Sequence, residues 1–236
     1  PQALFRMGAR LAFSADDGAI GREPYRTRGS AGTTTLLRDV NPGPAGSDPM
    51  GYFVKVGDRW VFDATDNALG TELWRADGTS AGTVRVKDIF GGSHGSSPSY
   101  LRKVGRLVMF EAESPSAGYE LWRTDGTPGG TTLVEDFNVG NAGSNGNPRQ
   151  LRVVGTRMFL VATTASTGNA VFTIDPGGTP QATTVDDGAP ASQTTGGTLM
   201  GAVGGKALLY HYNGFTYRLY ALGASGSVFA GITSGL

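Results

Sequence analysis

The chain has 236 residues, with 20 Lys+Arg against 20 Asp+Glu, so its formal charge is zero. A balanced chain lacks the positive field with which a general nucleic-acid binder neutralises phosphates, and no apolar run approaches the roughly 20 residues that span a bilayer. There is no Cys, which excludes disulfides and Cys-ligated zinc, and two His, His94 and His211, are too few for a multi-His metal site.

Pro1 opens directly on a strand-like segment, so no leader peptide is expected within these residues. A small turn with Gly then recurs as Met7-Gly8, Val56-Gly57, Val104-Gly105, Val154-Gly155 and Val203-Gly204, at a step of roughly 49 residues. A second marker keeps the same phase: Glu23-Pro24-Tyr25, Glu72-Leu73-Trp74, Glu120-Leu121-Trp122, Ala170-Val171-Phe172 and Arg218-Leu219-Tyr220. Two markers in phase divide the chain into five repeats, about 1–49, 50–98, 99–148, 149–197 and 198–236.

Each repeat reads as four short strands. In the second they are Tyr52–Val56, Arg59–Ala64, Thr71–Arg75 and Thr83–Ile89. The turns are Gly57-Asp58, a polar loop Thr65–Gly70, and Asp77-Gly78, whose two residues tolerate positive φ. Asp125-Gly126 repeats that turn, and Arg28-Gly29 and Gly177-Gly178 are looser versions. No stretch carries a sustained helical period. In the second strand of each repeat Phe13, Phe62, Phe110, Leu160 and Leu209 follow directly on Ala12, Val61, Met109, Phe159 and Leu208. Adjacent strand residues point to opposite faces, so both faces are apolar and must be covered. A ring of face-packed four-stranded sheets does this. The predicted fold is one all-β domain over residues 1–236, a five-bladed β-propeller. The chain starts on a first strand and ends on a fourth, Ser227–Ile232, so closure rests on face packing between repeats 1 and 5. An open solenoid is the alternative and leaves two large apolar faces exposed.

Glu72-Leu73-Trp74-Arg75-Ala76-Asp77-Gly78-Thr79 and Glu120-Leu121-Trp122-Arg123-Thr124-Asp125-Gly126-Thr127 resemble the ELWxxDGT repeat of bacterial proteins. Ala81-Gly82-Thr83, Gly129-Gly130-Thr131, Leu37-Arg38-Asp39-Val40-Asn41-Pro42-Gly43 and Ala15-Asp16-Asp17-Gly18 agree with its surroundings. The resemblance is clear in repeats 1–3. Repeat 4 keeps Asp175 and Gly178-Thr179, and repeat 5 belongs by spacing alone. It implies a secreted or surface-exposed protein and no catalytic residues.

Loops on a rigid scaffold usually carry function. The long polar ones are Asp16–Arg22, Thr65–Gly70 and Glu113–Gly118, with links Asn41–Pro49, Phe90–Pro98 and Asn138–Pro148, all expected at one end. Candidate ligand contacts there are Asp16, Asp17, Asp39, Asn41, Asp66, Asn67, Asp88, Glu113, Asp136 and Asn138. Asp39, Asp88 and Asp136 recur at strand ends and are weak Ca²⁺ candidates, while Asx turns explain them equally well; no other cofactor is expected. Tyr25, Trp74, Trp122, Phe172 and Tyr220 read as packing between blades, or alternatively as platforms for sugar rings. Arg6, Lys55, Arg102, Lys103 and Arg152 line an inner strand or pack by their stems. His211 sits among Tyr210, Tyr212, Phe215 and Tyr217, as a pocket or as a sealed terminal blade. The expected function is an extracellular or cell-surface, non-catalytic binding or adhesion module, lectin-like, taking a glycan or peptide without nucleic acid or membrane insertion. Alternatives are a propeller-type glycoside hydrolase or lyase using Asp63, Glu111 or Asp66, and a structural spacer in a surface assembly.

Overall fold

A computed structural model describes residues 2–49, 53–140, 143–166, 168–175, 177, 180–183, 197–212, 217–223 and 228–233. It is all-β. The strands of repeat 1 are β1 (Gln2–Met7), β2 (Arg10–Asp16), β3 (Arg22–Thr27) and β4 (Thr35–Leu36). Repeat 2 holds β5 (Val54–Val56), β6 (Arg59–Asp66), β7 (Gly70–Ala76) and β8 (Val84–Lys87). Repeat 3 holds β9 (Ser99–Val104), β10 (Leu107–Ser114), β11 (Gly118–Thr124) and β12 (Thr132–Glu135). Repeat 4 holds β13 (Arg149–Val154), β14 (Arg157–Thr164), β15 (Gly168–Ile174) and β16 (Pro180–Thr183). Repeat 5 holds β17 (Thr198–Val203), β18 (Lys206–Tyr212), β19 (Tyr217–Gly223) and β20 (Val228–Thr233). Each repeat forms one four-stranded sheet with its strands in sequence order, and the paired strands are antiparallel. Among the described residues a 3₁₀ turn, Ala31–Thr33, interrupts the strand pattern. Among the described residues no helix is long and apolar enough to cross a membrane.

The chain divides into two compact bodies. The first comprises Pro1–Leu101, Ala112–Ser114 and Thr124–Thr132, and the second Arg102–Glu111, Pro115–Arg123 and Leu133–Leu236. In the first body Met7, Ala12, Leu37 and Val40 of repeat 1 share a core with Trp60, Phe62, Ala64, Trp74 and Ala76 of repeat 2. In the second, Val104, Met109 and Leu121 pack with Met158, Leu160 and Ala162, and Val154, Phe159 and Val161 pack with Ala207, Leu209 and Tyr220. Successive residues of β6, β10 and β14 are therefore buried on both faces, as the doubly apolar pattern requires.

The strand limits differ from expectation in ways the turns explain. Thr83 does not start a strand. Its N–H donates to Ser80 O and its hydroxyl to Thr79 O, which holds it in the turn. Ile89 does not end one, because its N–H is diverted to the Glu72 carboxylate. The turns joining second to third strands are shorter than expected: β6 runs on to Asp66 and β7 starts at Gly70. The last strand is Val228–Thr233, and Tyr52 and Ser227 lie outside the described residues.

The Asp-Gly-Thr turns are built by their own side chains. Asp77 Oδ1 accepts from Thr79 N (2.8 Å) and Thr79 Oγ1 (2.7 Å), and the Thr79 hydroxyl oxygen accepts from Gly82 N (2.9 Å). Asp125, Thr127 and Gly130 reproduce the set. A Cβ at Gly82 would lie 2.1 Å from the Asp77 carboxylate, so a side chain here displaces the group that builds the turn. These hydrogen bonds, the Thr hydroxyl's foremost, hold both Asp77 and Asp125 below the usual carboxylate range.

Candidate functional site

Three buried glutamates organise the links between repeats. Glu23, Glu72 and Glu120 sit on β3, β7 and β11 and are all fully buried. Glu23 accepts from Val40 N (3.0 Å), Asn41 N (3.2 Å) and Ser47 Oγ (2.6 Å). Glu72 accepts from Ile89 N (3.2 Å), Phe90 N (3.1 Å), Ser96 N (3.0 Å) and Ser96 Oγ (2.6 Å). Glu120 accepts from Phe137 N (3.1 Å) and Gly146 N (2.5 Å). One carboxylate thus ties down both ends of each link and satisfies backbone donors that have no strand partner.

Burial raises all three carboxyls above their ordinary range, and the hydrogen bonds only partly offset it. Glu120 goes furthest, to about 7. Gly146 stands where the first two links carry Ser47 and Ser96, so Glu120 lacks a hydroxyl donor, and the charges of Asp136 and Glu111 add to the effect.

Each link returns through a residue in the left-handed region just before a proline. Asp48, Ser97 and Asn147 have φ of 41°, 47° and 44°. Their N–H groups donate to Arg22 O, Thr71 O and Tyr119 O. Backbone of link and turn then meet without side chains between them: a Cβ at Gly46 would lie 2.3 Å from Arg22 N, and one at Gly95 2.2 Å from Thr71 N. Links also hold the following repeat, through Thr65 N to Ser47 O, Glu113 N to Ser96 O and Thr163 N to Gly146 O. At the other turns a second tie recurs. Arg26, Arg75 and Arg123 each donate to the carbonyl of the next repeat's turn glycine: Gly78, Gly126 (2.7 Å) and Gly177 (3.0 Å).

The predicted ligand contacts divide on this frame. Asp16 and Asp17 are exposed at the tip between β2 and β3. Asp16 Oδ1 accepts from Gly18 N (2.7 Å); Asp17 accepts from Ala19 N, Ile20 N and the Tyr25 hydroxyl (3.0 Å). Those bonds lower the Asp17 carboxyl, while Tyr25 is pushed up to about 12 by burial first and by Asp17 next. Asp66 Oδ1 turns the chain by accepting from Ala68 N (2.8 Å), and Asn67 is exposed beside it. Glu113 Oε2 lies 3.0 Å from His94 Nε2, and the His94 ring packs on Phe90 at 4.3 Å. These residues present polar groups outward.

Asn41 does not. It is buried, donates to Gly46 O (2.6 Å) and accepts from Asn67 N (3.0 Å), so it braces the link from inside. Asn138 donates to Asn145 O (3.2 Å) in the same manner. Asp39 and Asp136 are half-buried, with their Oδ1 atoms buried and unpartnered among the described residues, and Asp88 lies 4.0 Å from Arg85. The charge of each adds to the upward shift of the buried glutamate in its own repeat. Among the described residues no three His, Cys, Asp or Glu side chains come together to hold a metal ion.

The aromatic series is packing. Trp74, Trp122 and Tyr220 are buried, and Phe172 lies against Phe137 at 4.5 Å, so none of these four offers a sugar platform. Tyr25 is half-buried and tied to Asp17. Asp63 is buried on β6, in the first body, and Glu111 half-buried on β10, in the second. The inner-strand cations use nearby groups: Arg6 donates to Gly8 O (3.1 Å), and Lys55 Nζ lies 5.4 Å over Trp60. The side chains of His211, Tyr212, Phe215 and Tyr217 lie outside the described residues. Sequence reasoning used the glutamates only as phase markers and missed their role; the signal available was the equal distance of Glu23 and Glu72 from Gly46-Ser47 and Gly95-Ser96 in the links that follow them.

The sheets define a class of protein, an all-β chain of repeated four-stranded antiparallel sheets with propeller-like structural neighbours. One such neighbour is a puromycin hydrolase, at 14% identity and TM-score 0.50, covering 95% of this chain and 35% of that one. A puromycin-hydrolyzing peptidase from Mycobacterium tuberculosis aligns at 12% identity and TM-score 0.48, covering 96% of this chain and 36% of that one. A putative TolB from Agrobacterium tumefaciens aligns at 15% and 0.43, covering 74% of this chain and 61% of that one. The chain spans about a third of the length of the hydrolases, and the likeness is one of fold alone. No family model matches the chain, and no curated protein matches it in sequence.

Proposed function

We propose that the five sheets are the blades of one closed five-bladed propeller of the ELWxxDGT-repeat kind. We further propose that it works outside the cell or at its surface as a non-catalytic binding or adhesion module for a glycan or peptide. Closure is supported by what the terminal repeats leave uncovered. Met7 with Trp60, Val104 with Met158, and Val154 with Ala207 share cores across successive repeats. Their counterparts, Val203 in repeat 5 and Leu11 in repeat 1, are 63% and 40% exposed. A Cβ at Gly78 or Gly126 would meet Met7 or Val56, whereas one at the matching Gly29 would meet nothing within 4 Å. A ring gives each of these groups the cover its counterparts have.

The observation that carries the binding role is the division of labour among the acids. The buried glutamates fix the links, while Asp16, Asp17, Asp66, Asn67 and Glu113 stay at or near the surface at strand ends and turns, with the turns of Asp16, Asp17 and Asp66 held by their own carboxylates. A preorganised polar rim binds without a large ordering cost, and several weak contacts on linked turns gain by avidity. Fully buried carboxylates engaged by the links are not presented to a substrate from solution, which supports a scaffold. A glycan array and a panel of surface peptides test the reading. Binding that weakens at least about fivefold in Asp17→Ala with Asp66→Ala, a loss of about 1 kcal/mol, is the expected result. Silence on both panels, and against cell-surface extracts, counts against it.

A further inference from the structure

The third link carries Asn145-Gly146, one of two Asn-Gly steps in the sequence; the other is Asn213-Gly214. An Asn followed by Gly is chemically fragile, because no Cβ obstructs attack of the next backbone nitrogen on the side-chain amide carbon. Two things slow that attack: the weak acidity of the backbone N–H, and the negative charge that develops on the amide oxygen. Both are met at this step. Gly146 N donates to Glu120 Oε1 at 2.5 Å, so a buried carboxylate already holds the proton that must leave. Tyr119 N donates to Asn145 Oδ1 at 2.9 Å, so a fixed donor points at the oxygen that becomes anionic. Asn145 is itself exposed, which lets ammonia leave and water enter. The first and second links place Gly46-Ser47 and Gly95-Ser96 at this position, so the chemistry is confined to the third.

We propose that Asn145 is a self-modifying site, where Glu120 acts as base and the Tyr119 N–H as oxyanion donor to convert Asn145-Gly146 to a succinimide and then to aspartate or isoaspartate. The Glu120 carboxylate takes the proton from Gly146 N. The nitrogen lone pair forms a bond to Asn145 Cγ, and the carbonyl π pair moves onto Oδ1. When that carbonyl re-forms, the Cγ–Nδ2 bond breaks, the proton passes from Glu120 to Nδ2, and ammonia leaves. Water then adds to either carbonyl of the ring and opens it, so no oxidant or cofactor is required. The product carries a new carboxylate beside Glu120, which Asp136 and Glu111 already oppose. The isoaspartate form also displaces the Asn145 carbonyl that accepts from Asn138, and so loosens the link.

Peptide mapping by mass spectrometry of the folded protein, aged at neutral pH, tests this with Asn213 as internal reference. Asn145 is expected to convert at least about tenfold faster than Asn213, a modest share of what a positioned base supplies. The excess should vanish in Glu120→Gln and in wild type held unfolded in urea, where the two Asn-Gly steps react alike. The Asn145 rate should also level off above about pH 7, where Glu120 is ionised, while that of Asn213 keeps climbing with hydroxide. An intact Asn145 beside a converted Asn213, a rate indifferent to Glu120→Gln, or faster conversion on unfolding would each overturn the proposal. If Glu120→Gln does not fold, the urea comparison decides on wild type alone.

Discussion

Replacing Glu72 by Ala removes the acceptor of four donors at once: Ile89 N, Phe90 N, Ser96 N and Ser96 Oγ. Glu72 is fully buried, so none of these groups has solvent as a ready substitute. Each stranded donor costs about 1–3 kcal/mol, and water entering the vacated space recovers part, leaving a net loss of about 3–5 kcal/mol. Glu72→Gln keeps one acceptor oxygen but sets an NH₂ against donors, and should lose about 2 kcal/mol. Urea unfolding followed by the fluorescence of Trp60, Trp74 and Trp122 reads both. For a chain of this size the Ala variant should melt on the order of 10 °C lower. Hydrogen exchange localises the effect: amides 89, 90 and 96 should speed up the most, while those of β6 should speed up only by the global loss. A loss under about 0.5 kcal/mol, the range of a neutral surface change, would refute the brace.

The pH dependence follows from the same carboxyls. Glu120 is raised to about 7, so the folded chain holds a proton that the unfolded chain releases above about 4.5. Its contribution to stability is fully present below the unfolded value and is lost as pH rises through about 7; Glu120→Gln should flatten that part of a Tm-against-pH curve. Asp77 and Asp125 act oppositely: being lowered, they contribute stability above the ordinary aspartate value of about 3.9 and lose it as pH falls through their folded values. Gly82→Ala should cost about 1–3 kcal/mol by chemical denaturation, because the Asp77 carboxylate must move. The control is Gly32→Ala, in the Ala-Gly-Thr of repeat 1, where a Cβ meets nothing within 4 Å and the stability should hardly change. Because the chain has no native Cys, Leu11→Cys with Val203→Cys probes ring closure cleanly. A disulfide within one molecule, seen by non-reducing electrophoresis, is expected; dimers, or free thiols under oxidant, would remove the closed propeller.

What could be read in the sequence was whatever depends on spacing. The phase of Val-Gly turns and aromatic markers located all five sheets, because a strand-turn-strand unit of fixed length leaves a fixed period. The doubly apolar second strand was legible for the same reason: alternation assigns Val61 and Phe62 to opposite faces without knowing what covers either, and both are buried. The glutamate brace was not legible as such. Its partners are mostly backbone N–H groups 17 to 26 residues away, and backbone donors carry no residue identity that a pattern can display. The arginine ties hide likewise, since the acceptor is a glycine carbonyl about one repeat on. For Asp16, Asp66 and Asn41 the sequence held both answers, because the side chains that would reach a ligand are those that turn a chain. Only exposure separates them, and it leaves Asp16 outside and Asn41 within.

Once the brace is known, the eroded repeats acquire a physical meaning. Ala170 and Arg218 stand where Glu23, Glu72 and Glu120 stand, and Thr173 and Ala221 stand where the three arginines do. Repeats 4 and 5 therefore keep the apolar core positions, Leu160 and Leu209 among them, without the glutamate and arginine side chains that tie repeats 1–3. Apolar burial is non-directional and tolerates drift in side-chain identity, whereas a carboxylate shared by backbone donors at two ends of a link fails on a single substitution. Loss of the signature is thus loss of these side chains and not of the four-stranded sheet. Restoring a carboxylate in repeat 4 is then no simple gain: Ala170→Glu on β15 would add a carboxyl at a half-buried position, and its desolvation must be offset by donors such as those Glu23, Glu72 and Glu120 find in their own links.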